Sequence, residues 1–147
     1  MHHRTLDEIT QVATIFPAGK PPSSEVRRER LRQLATVLDE HVGPIRLLSE
    51  IEYLSRSDFS TARCDCSPLA LAFEDNVFRR QGLTSDRLGD AMTFFGLSSF
   101  EAHHLFCDCH YGGSTNPRIV ARRVRDLAEH RSIFEVARAI WSRLVAA

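Results

Sequence analysis

Residues 98–113, SSFEAHHLFCDCHYGG, combine a helix start, an apolar stripe and a cluster of cysteines and histidines. Ser98 followed three residues later by Glu101 is a capping box, in which each side chain satisfies a backbone N–H group at the helix start. We therefore predict a short helix from Ser98 through about Cys107. Its apolar side chains recur at helical spacing, which is typical of a face packed on the core: Ala102, Leu105, Phe106 and Cys109.

Comparable helix signals occur along the rest of the chain, and sustained apolar–polar alternation, the mark of strands, is missing. The sequence therefore predicts an all-α fold, a single compact domain of about seven or eight short helices. Residues 1–24 are expected to form an N-terminal helix and a Pro/Ser-rich linker, and residues 25–147 the helical domain. Further helix signals occur at Thr5 with Glu8, Ser24, residues 45–54, Ser67-Pro68, Ser85, Asn116-Pro117 and Ser132 with Glu135.

One of these helices is expected to be central to the packing, and another is expected to be long. Residues 45–54, IRLLSEIEYL, are apolar enough for a buried helix, and the helix that begins at Pro68 is expected to continue to a glycine stop at Gly82. The predicted core consists of the apolar stripe positions: Leu34, Leu38, Leu48, Ile51, Leu71, Phe95, Leu105, Phe106, Val120, Val124, Leu127, Ile140 and Trp141.

The composition is that of an ordinary globular domain of 147 residues, with 43% hydrophobic and 26% charged residues. Lys plus Arg and Asp plus Glu number 19 each, so the net charge gives no attraction to nucleic acid or to an anionic membrane. No apolar run approaches the roughly 20 residues of a membrane span, and no signal peptide is recognisable. We expect a soluble, cytoplasmic protein. Lys20 is the one lysine among the 19 basic residues, a bias that favours a bacterial source.

All four cysteines lie in two identical Cys-Asp-Cys tripeptides, residues 64–66 and 107–109. In a reducing cytoplasm, clustered cysteines favour metal binding over structural disulfides. Thiolate and imidazole are the ligands that zinc prefers. The candidate zinc ligands are therefore the cysteines and the nearby histidines: Cys64, Cys66, Cys107, Cys109, His103 and His110.

The repetition suggests that the two tripeptides meet in space around one ion. Cys64 and Cys66 precede a predicted helix start, where the helix dipole stabilises a thiolate. If the helix of residues 98–107 continues, His103, Cys107 and His110 share one face, while Cys109 lies on the core face. A site closed by four protein ligands would be a structural zinc centre that joins distant segments.

Other interpretations of the cysteines remain open. They can pack as small hydrophobic residues, or the two pairs can act in thiol redox chemistry, since a Cys-x-Cys disulfide is strained and easily reduced. A cysteine nucleophile with a histidine base is a weaker alternative, and without a recognisable catalytic motif the sequence favours a binding or regulatory module over an enzyme.

The sequence also bears on the kind of partner that the protein binds. A metal-free helical protein that binds a partner protein or a second copy of itself is the alternative to a metal site. Nucleic acid binding is disfavoured, because the stretch SFEAHHLF offers Glu101 and no Arg or Lys to phosphate groups.

Overall fold

The computed structural model describes residues 20–49, 59–130 and 140–146, and it confirms the prediction of a single all-α domain. The predicted helices at Thr5 and Ser132 begin outside the described residues, and the domain boundary at residue 24 stays a prediction. Residues 140–145 are helical, and two 3₁₀ turns span Phe59–Thr61 and Asp108–His110. The α-helices are α1 (Ser24–Glu40), α2 (Pro68–Glu74), α3 (Asn76–Gln81), α4 (Leu88–Phe95), α5 (Ser99–Phe106) and α6 (Pro117–Glu129).

Helix α1 packs along helix α6. Both helices present a buried stripe of larger apolar residues that also contains alanine. Arg32 and Glu129 form an ion pair of 2.7 Å across the pair, and Arg125 pairs with Asp39 in the same way. The buried stripes consist of Leu31, Leu34, Ala35 and Leu38 on α1, and Val120, Ala121, Val124 and Ala128 on α6.

An aromatic cluster forms another part of the core. Phe78 of α3 meets Phe94 and Phe95 of α4 edge to face, with ring centroids 5.7 and 5.4 Å away. Arg30 of α1 covers this cluster, because its guanidinium carbon lies 3.9 Å from the centroid of Phe94. Edge-to-face contacts of this kind add about 0.5–1.5 kcal/mol each to the burial of the rings.

The predicted central helix at residues 45–54 is wrong in its described part, because residues 45–49 are not helical. Ile45 and Leu48 are buried as the apolar pattern requires. Their backbone groups, however, bond to other parts of the chain instead of forming a helical ladder. The Ile45 amide donates to the Thr115 carbonyl at 3.0 Å, and the Leu48 amide donates to the Phe106 carbonyl at 2.9 Å. Residues 50–54 lie outside the described residues.

The helix predicted from Pro68 to Gly82 is divided in two. The Asp75 carboxylate accepts a hydrogen bond of 2.8 Å from the Val77 amide, so Asp75 ends α2 and caps α3. Aspartate competes with the helical ladder in this way because its short side chain reaches its own backbone. The glycine stop is confirmed, since Gly82 adopts a left-handed φ of 110° at the end of α3.

Two of the predicted core residues are exposed. Ile140 and Trp141 have 54% and 70% of their surface accessible, whereas Leu71 and Leu127 are partly buried and Ile51 is outside the described residues. The remaining predicted core residues are buried. Among the residues that the structure describes, no helix has both the length and the hydropathy that a bilayer span requires.

Candidate metal centre

Helix α5 carries the first ligand candidate, and its start is formed as the sequence predicts. The Ser98 hydroxyl accepts from the Glu101 amide at 3.2 Å, and the Glu101 carboxylate accepts from the Ser98 amide at 3.0 Å. The second carboxylate oxygen of Glu101 accepts a hydrogen bond of 2.6 Å from the guanidinium of Arg27 on α1. This largely buried ion pair fixes α5 against α1, and therefore fixes the position of His103 in its last turns.

The end of α5 differs from the prediction and decides which cysteine is accessible. The Leu48 amide donates to the Phe106 carbonyl, and the Leu48 carbonyl accepts from the Asp108 amide at 3.0 Å. Because these bonds hold the chain extended, Cys107 ends the helix with φ −86° and ψ 134°. A 3₁₀ turn follows at Asp108–His110.

Because α5 ends at Cys107, the burial of the two cysteines is the reverse of what the helical pattern predicts. Cys107 is fully buried and Cys109 is exposed, so the predicted core position of Cys109 is wrong. Burial is the main reason that the pKa of the Cys107 thiol rises to about 12, with a further contribution from its hydrogen bond with Cys109. Cys107 therefore remains a thiol at neutral pH, and Cys109 is the sulfur that faces the histidines.

His103, Cys109 and His110 lie together at the end of α5. The Cys109 sulfur is 3.8 Å from His103 Nε2, and His110 Nε2 is 2.8 Å from His103 Nδ1. One ligand atom from each of the three lies within 4.8 Å of the other two. Ligands of tetrahedral zinc are separated by roughly 3.3–3.6 Å, given Zn–N distances near 2.0 Å and Zn–S distances near 2.3 Å. The three side chains are therefore close enough to bind one metal ion, which would use one of the two ring nitrogens of His103.

A third imidazole borders the group without joining it. The ring of His104 lies 5.2 Å from that of His110, which in turn lies 4.7 Å from His103. Burial, followed by the charges of Arg123 and His110, lowers the pKa of His104. The lowered pKa favours the neutral form of His104, and the neutral imidazole is also the form that binds metals.

Tyr111 anchors the turn that carries Cys109 and His110. Its hydroxyl donates a hydrogen bond of 2.7 Å to the Leu105 carbonyl, one of the carbonyls that the end of α5 leaves without a helical partner. The guanidinium of Arg123 on α6 lies 4.1 Å from the ring centroid. Burial raises the pKa of Tyr111 to about 12, so the phenol keeps the proton that it donates.

The first tripeptide is attached to the same segment but is not part of the three-residue group. The Cys66 carbonyl accepts a hydrogen bond of 3.0 Å from the Arg46 amide. Arg46 lies two residues before Leu48, whose carbonyl accepts from Asp108 of the second tripeptide. Cys66 is exposed with a left-handed φ of 59°, and the partly buried Cys64 donates to the Asp65 carbonyl at 3.5 Å. The structure thus groups Cys109 with the two predicted histidines, and a metal role for Cys64, Cys66 and Cys107 stays a prediction.

The six candidates named from the sequence include His103, Cys109 and His110, but the helical pattern placed Cys107, and not Cys109, on the face of the two histidines. The supporting residues Tyr111 and Arg123 were not anticipated from the sequence. The aromatic Tyr111 directly after the ligands was a signal for an anchored turn, whereas nothing in the sequence links Arg123 to it.

No protein-family model matches the chain, and no curated protein or solved structure matches it significantly. The residues of the site are therefore the basis for a functional proposal.

Proposed function

We propose that the protein is a metal-binding module that holds a divalent ion, zinc, through His103, Cys109 and His110. The observation that supports the proposal is the mutual proximity of the three ligand atoms, all within 4.8 Å. Two imidazoles and one thiolate form a donor set of intermediate softness, which suits zinc better than the oxygen-seeking ions magnesium and calcium.

The position of the ligands indicates what the ion would stabilise. His103 lies in α5, whereas Cys109 and His110 lie in the 3₁₀ turn directly after it. The ion would therefore fix this turn against the helix that precedes it. It would not clamp two distant segments, as a site made from both Cys-Asp-Cys tripeptides would.

A group of three protein ligands leaves one position of a tetrahedral ion for water or for another ligand. Cys109 is exposed and His103 and His110 are partly exposed, so this position would be reachable from solvent. An open position on a solvent-facing turn suits a binding or regulatory module in which the ion itself contacts the bound molecule.

Metal titration of the reduced, metal-depleted protein tests the proposal. The matched variants are His103→Ala and His104→Ala, which remove neighbouring imidazoles of the same helix. Only His103 belongs to the group of three candidate ligands. We expect one equivalent of zinc to bind the wild type and His104→Ala, and affinity to fall more than about tenfold in His103→Ala. Competition with a coloured chelator measures the affinities.

The two exposed cysteines supply a second matched pair, Cys109→Ser and Cys66→Ser. With cobalt(II) as a coloured substitute for zinc, we expect a sulfur-to-metal absorption band in the wild type and Cys66→Ser that is lost in Cys109→Ser. A wild type that binds no metal would overturn the proposal. Equal losses in Cys66→Ser and Cys109→Ser would instead assign the site to both tripeptides.

A further inference from the structure

We propose that Cys107 and Cys109 form a reversible disulfide, and that this oxidative modification removes Cys109 from the metal site. The effect on the metal rests on the function proposed above, whereas the disulfide itself rests on the geometry of the second tripeptide alone.

The two sulfurs are already close to bonding distance. The Cys109 thiol donates to the Cys107 sulfur with 3.0 Å between the sulfur atoms, so a bond of about 2.05 Å requires them to approach by about 1 Å. Residues two apart in sequence cannot have Cα atoms more than about 7 Å apart. This limit lies near the upper end of the disulfide range of roughly 4.4–6.8 Å. The bond can therefore form without a rearrangement of the domain.

The surroundings give the two sulfurs different roles. Cys109 is exposed and is the sulfur that an oxidant in solution reaches first, whereas Cys107 is fully buried. Hydrogen bonds of the neighbouring backbone to Leu48, and of the Cys107 amide to the His103 carbonyl at 3.1 Å, hold Cys107 in place. Redox-sensitive cysteines are often exposed and placed beside a second cysteine that can complete the disulfide.

The oxidant class that fits this arrangement is a hydroperoxide. The Cys109 sulfur attacks the terminal peroxide oxygen, the O–O bond breaks, and a sulfenic acid and water (or an alcohol) are formed. The Cys107 sulfur then attacks the sulfur of the sulfenic acid and displaces hydroxide. The hydroxide takes up the remaining thiol proton and leaves as water. Two thiols are oxidised to one disulfide, and the peroxide is reduced by two electrons.

Disulfide formation and metal binding compete for one sulfur atom. Once bonded to Cys107, Cys109 has no thiolate to offer, and the ion keeps His103 and His110 alone. Conversely, an ion on Cys109 withholds that sulfur from the peroxide. Because the two events exclude each other, zinc should slow the oxidation and oxidation should release zinc. The small ring is strained, so a dithiol should reverse the reaction readily.

The sequence provides an internal comparison for the test. Asp108 separates Cys107 from Cys109, and Asp65 separates Cys64 from Cys66. A protease that cleaves before aspartate therefore places the two cysteines of each tripeptide in different fragments. After alkylation of the remaining thiols, a disulfide within a tripeptide holds its two fragments together until it is reduced. In the first tripeptide the Cys64 thiol points to the Asp65 carbonyl instead of to a sulfur.

The full-length wild type is treated with hydrogen peroxide, alkylated, cleaved and analysed by mass spectrometry. We expect the fragments on either side of Asp108 to be joined, several-fold sooner than those on either side of Asp65, and to separate with dithiothreitol. Pre-loading with zinc should delay the joining several-fold, and the disulfide should appear together with released zinc. Joining at Asp65 first, or conversion of Cys109 to a sulfinic acid without joining, would overturn the inference.

A Cys107→Ala variant separates this inference from the metal site. We expect it to bind zinc like the wild type while losing the release of zinc that dithiothreitol reverses. If the variant fails to fold, the fragment assay on the wild type still decides. Zinc binding without the disulfide would refute the inference and leave the metal site intact. The disulfide without zinc binding would refute the metal site and leave the modification.

Discussion

At the scale of single residues, Tyr111 connects the candidate ligands to the core. It is 7% exposed, and its hydroxyl donates a hydrogen bond to the Leu105 carbonyl, which has no helical partner at the end of α5. We expect Tyr111→Phe to lower the free energy of unfolding by about 1–2 kcal/mol, because the buried Leu105 carbonyl loses its donor and gains nothing in exchange. Urea denaturation measures the change. An unchanged midpoint, with an unchanged slope, would show that water replaces the hydroxyl at no cost.

The cysteines show which facts about a residue the sequence can predict. Residue type alone identifies Cys109, His103 and His110 as ligand candidates. Their grouping could not be predicted, because it depends on where α5 ends. The helical pattern continues to Cys109, and the signal that stops it comes from the backbone of Leu48, about 60 residues earlier. A local pattern contains no information about such a distant hydrogen-bond partner.

At the scale of elements, Gly89 sets how closely α4 approaches the 3₁₀ turn Phe59–Thr61. A Cβ atom at Gly89 would lie 2.7 Å from the Ser60 Cβ and 3.1 Å from its carbonyl oxygen. Alanine in place of glycine usually stabilises a helix by ~1 kcal/mol. We expect the opposite here: Gly89→Ala should lower the free energy of unfolding by about 1–3 kcal/mol, because the turn must move away.

Thermal unfolding followed by circular dichroism measures this effect, and Ser60 provides the control. In the double variant Gly89→Ala with Ser60→Gly, the nearest contact is removed, so part of the lost stability should return. A Gly89→Ala protein that is as stable as the wild type would show that the turn is not held against α4.

Three helix starts have the capping side chain that the sequence predicts, whereas α1 is capped by Ser23 instead of Ser24 and α3 is capped by Asp75. Ser98, Ser67 and Asn116 each accept the expected backbone amide. The errors lie where the apolar spacing is compatible with more than one backbone. Ile45 and Leu48 are three residues apart and are both buried, as in a helix, yet their amides serve other segments. The interruption at Asp75 has a local cause, and its capping side chain was a signal that could have been weighed.

At the scale of the whole molecule, the proposed metal site lies at the edge of the core. The buried Cys107 precedes its turn, Tyr111 follows it, and Arg123 joins that turn to α6. An ion that binds only the folded state would therefore stabilise the domain as a whole, by about 2.7 kcal/mol at a hundredfold excess over its Kd. The predicted protein partner and the cytoplasmic location stay predictions.

The pairing of α1 with α6 should depend on pH through Glu129. Its hydrogen bond with Arg32 is the main cause that lowers the pKa of the Glu129 carboxyl below its ordinary value of 4.5. The unfolded chain therefore binds this proton more readily than the folded domain. The stabilising contribution is present above that ordinary value and is lost as the pH falls through the lower folded value. Both side chains are more than half exposed, so the contribution is small and sensitive to salt.

We expect Glu129→Gln to unfold at a slightly lower temperature than the wild type at neutral pH and low ionic strength. The difference should disappear as the pH falls through the lowered pKa of the Glu129 carboxyl in the folded wild type, and it should shrink in about 1 M salt. Asp126→Asn, a change of an exposed carboxylate on the same helix, should not reproduce this dependence on pH. If the difference for Glu129→Gln instead persists at low pH and in high salt, the side chain acts through packing, and the charge pair with Arg32 contributes nothing to joining the two helices.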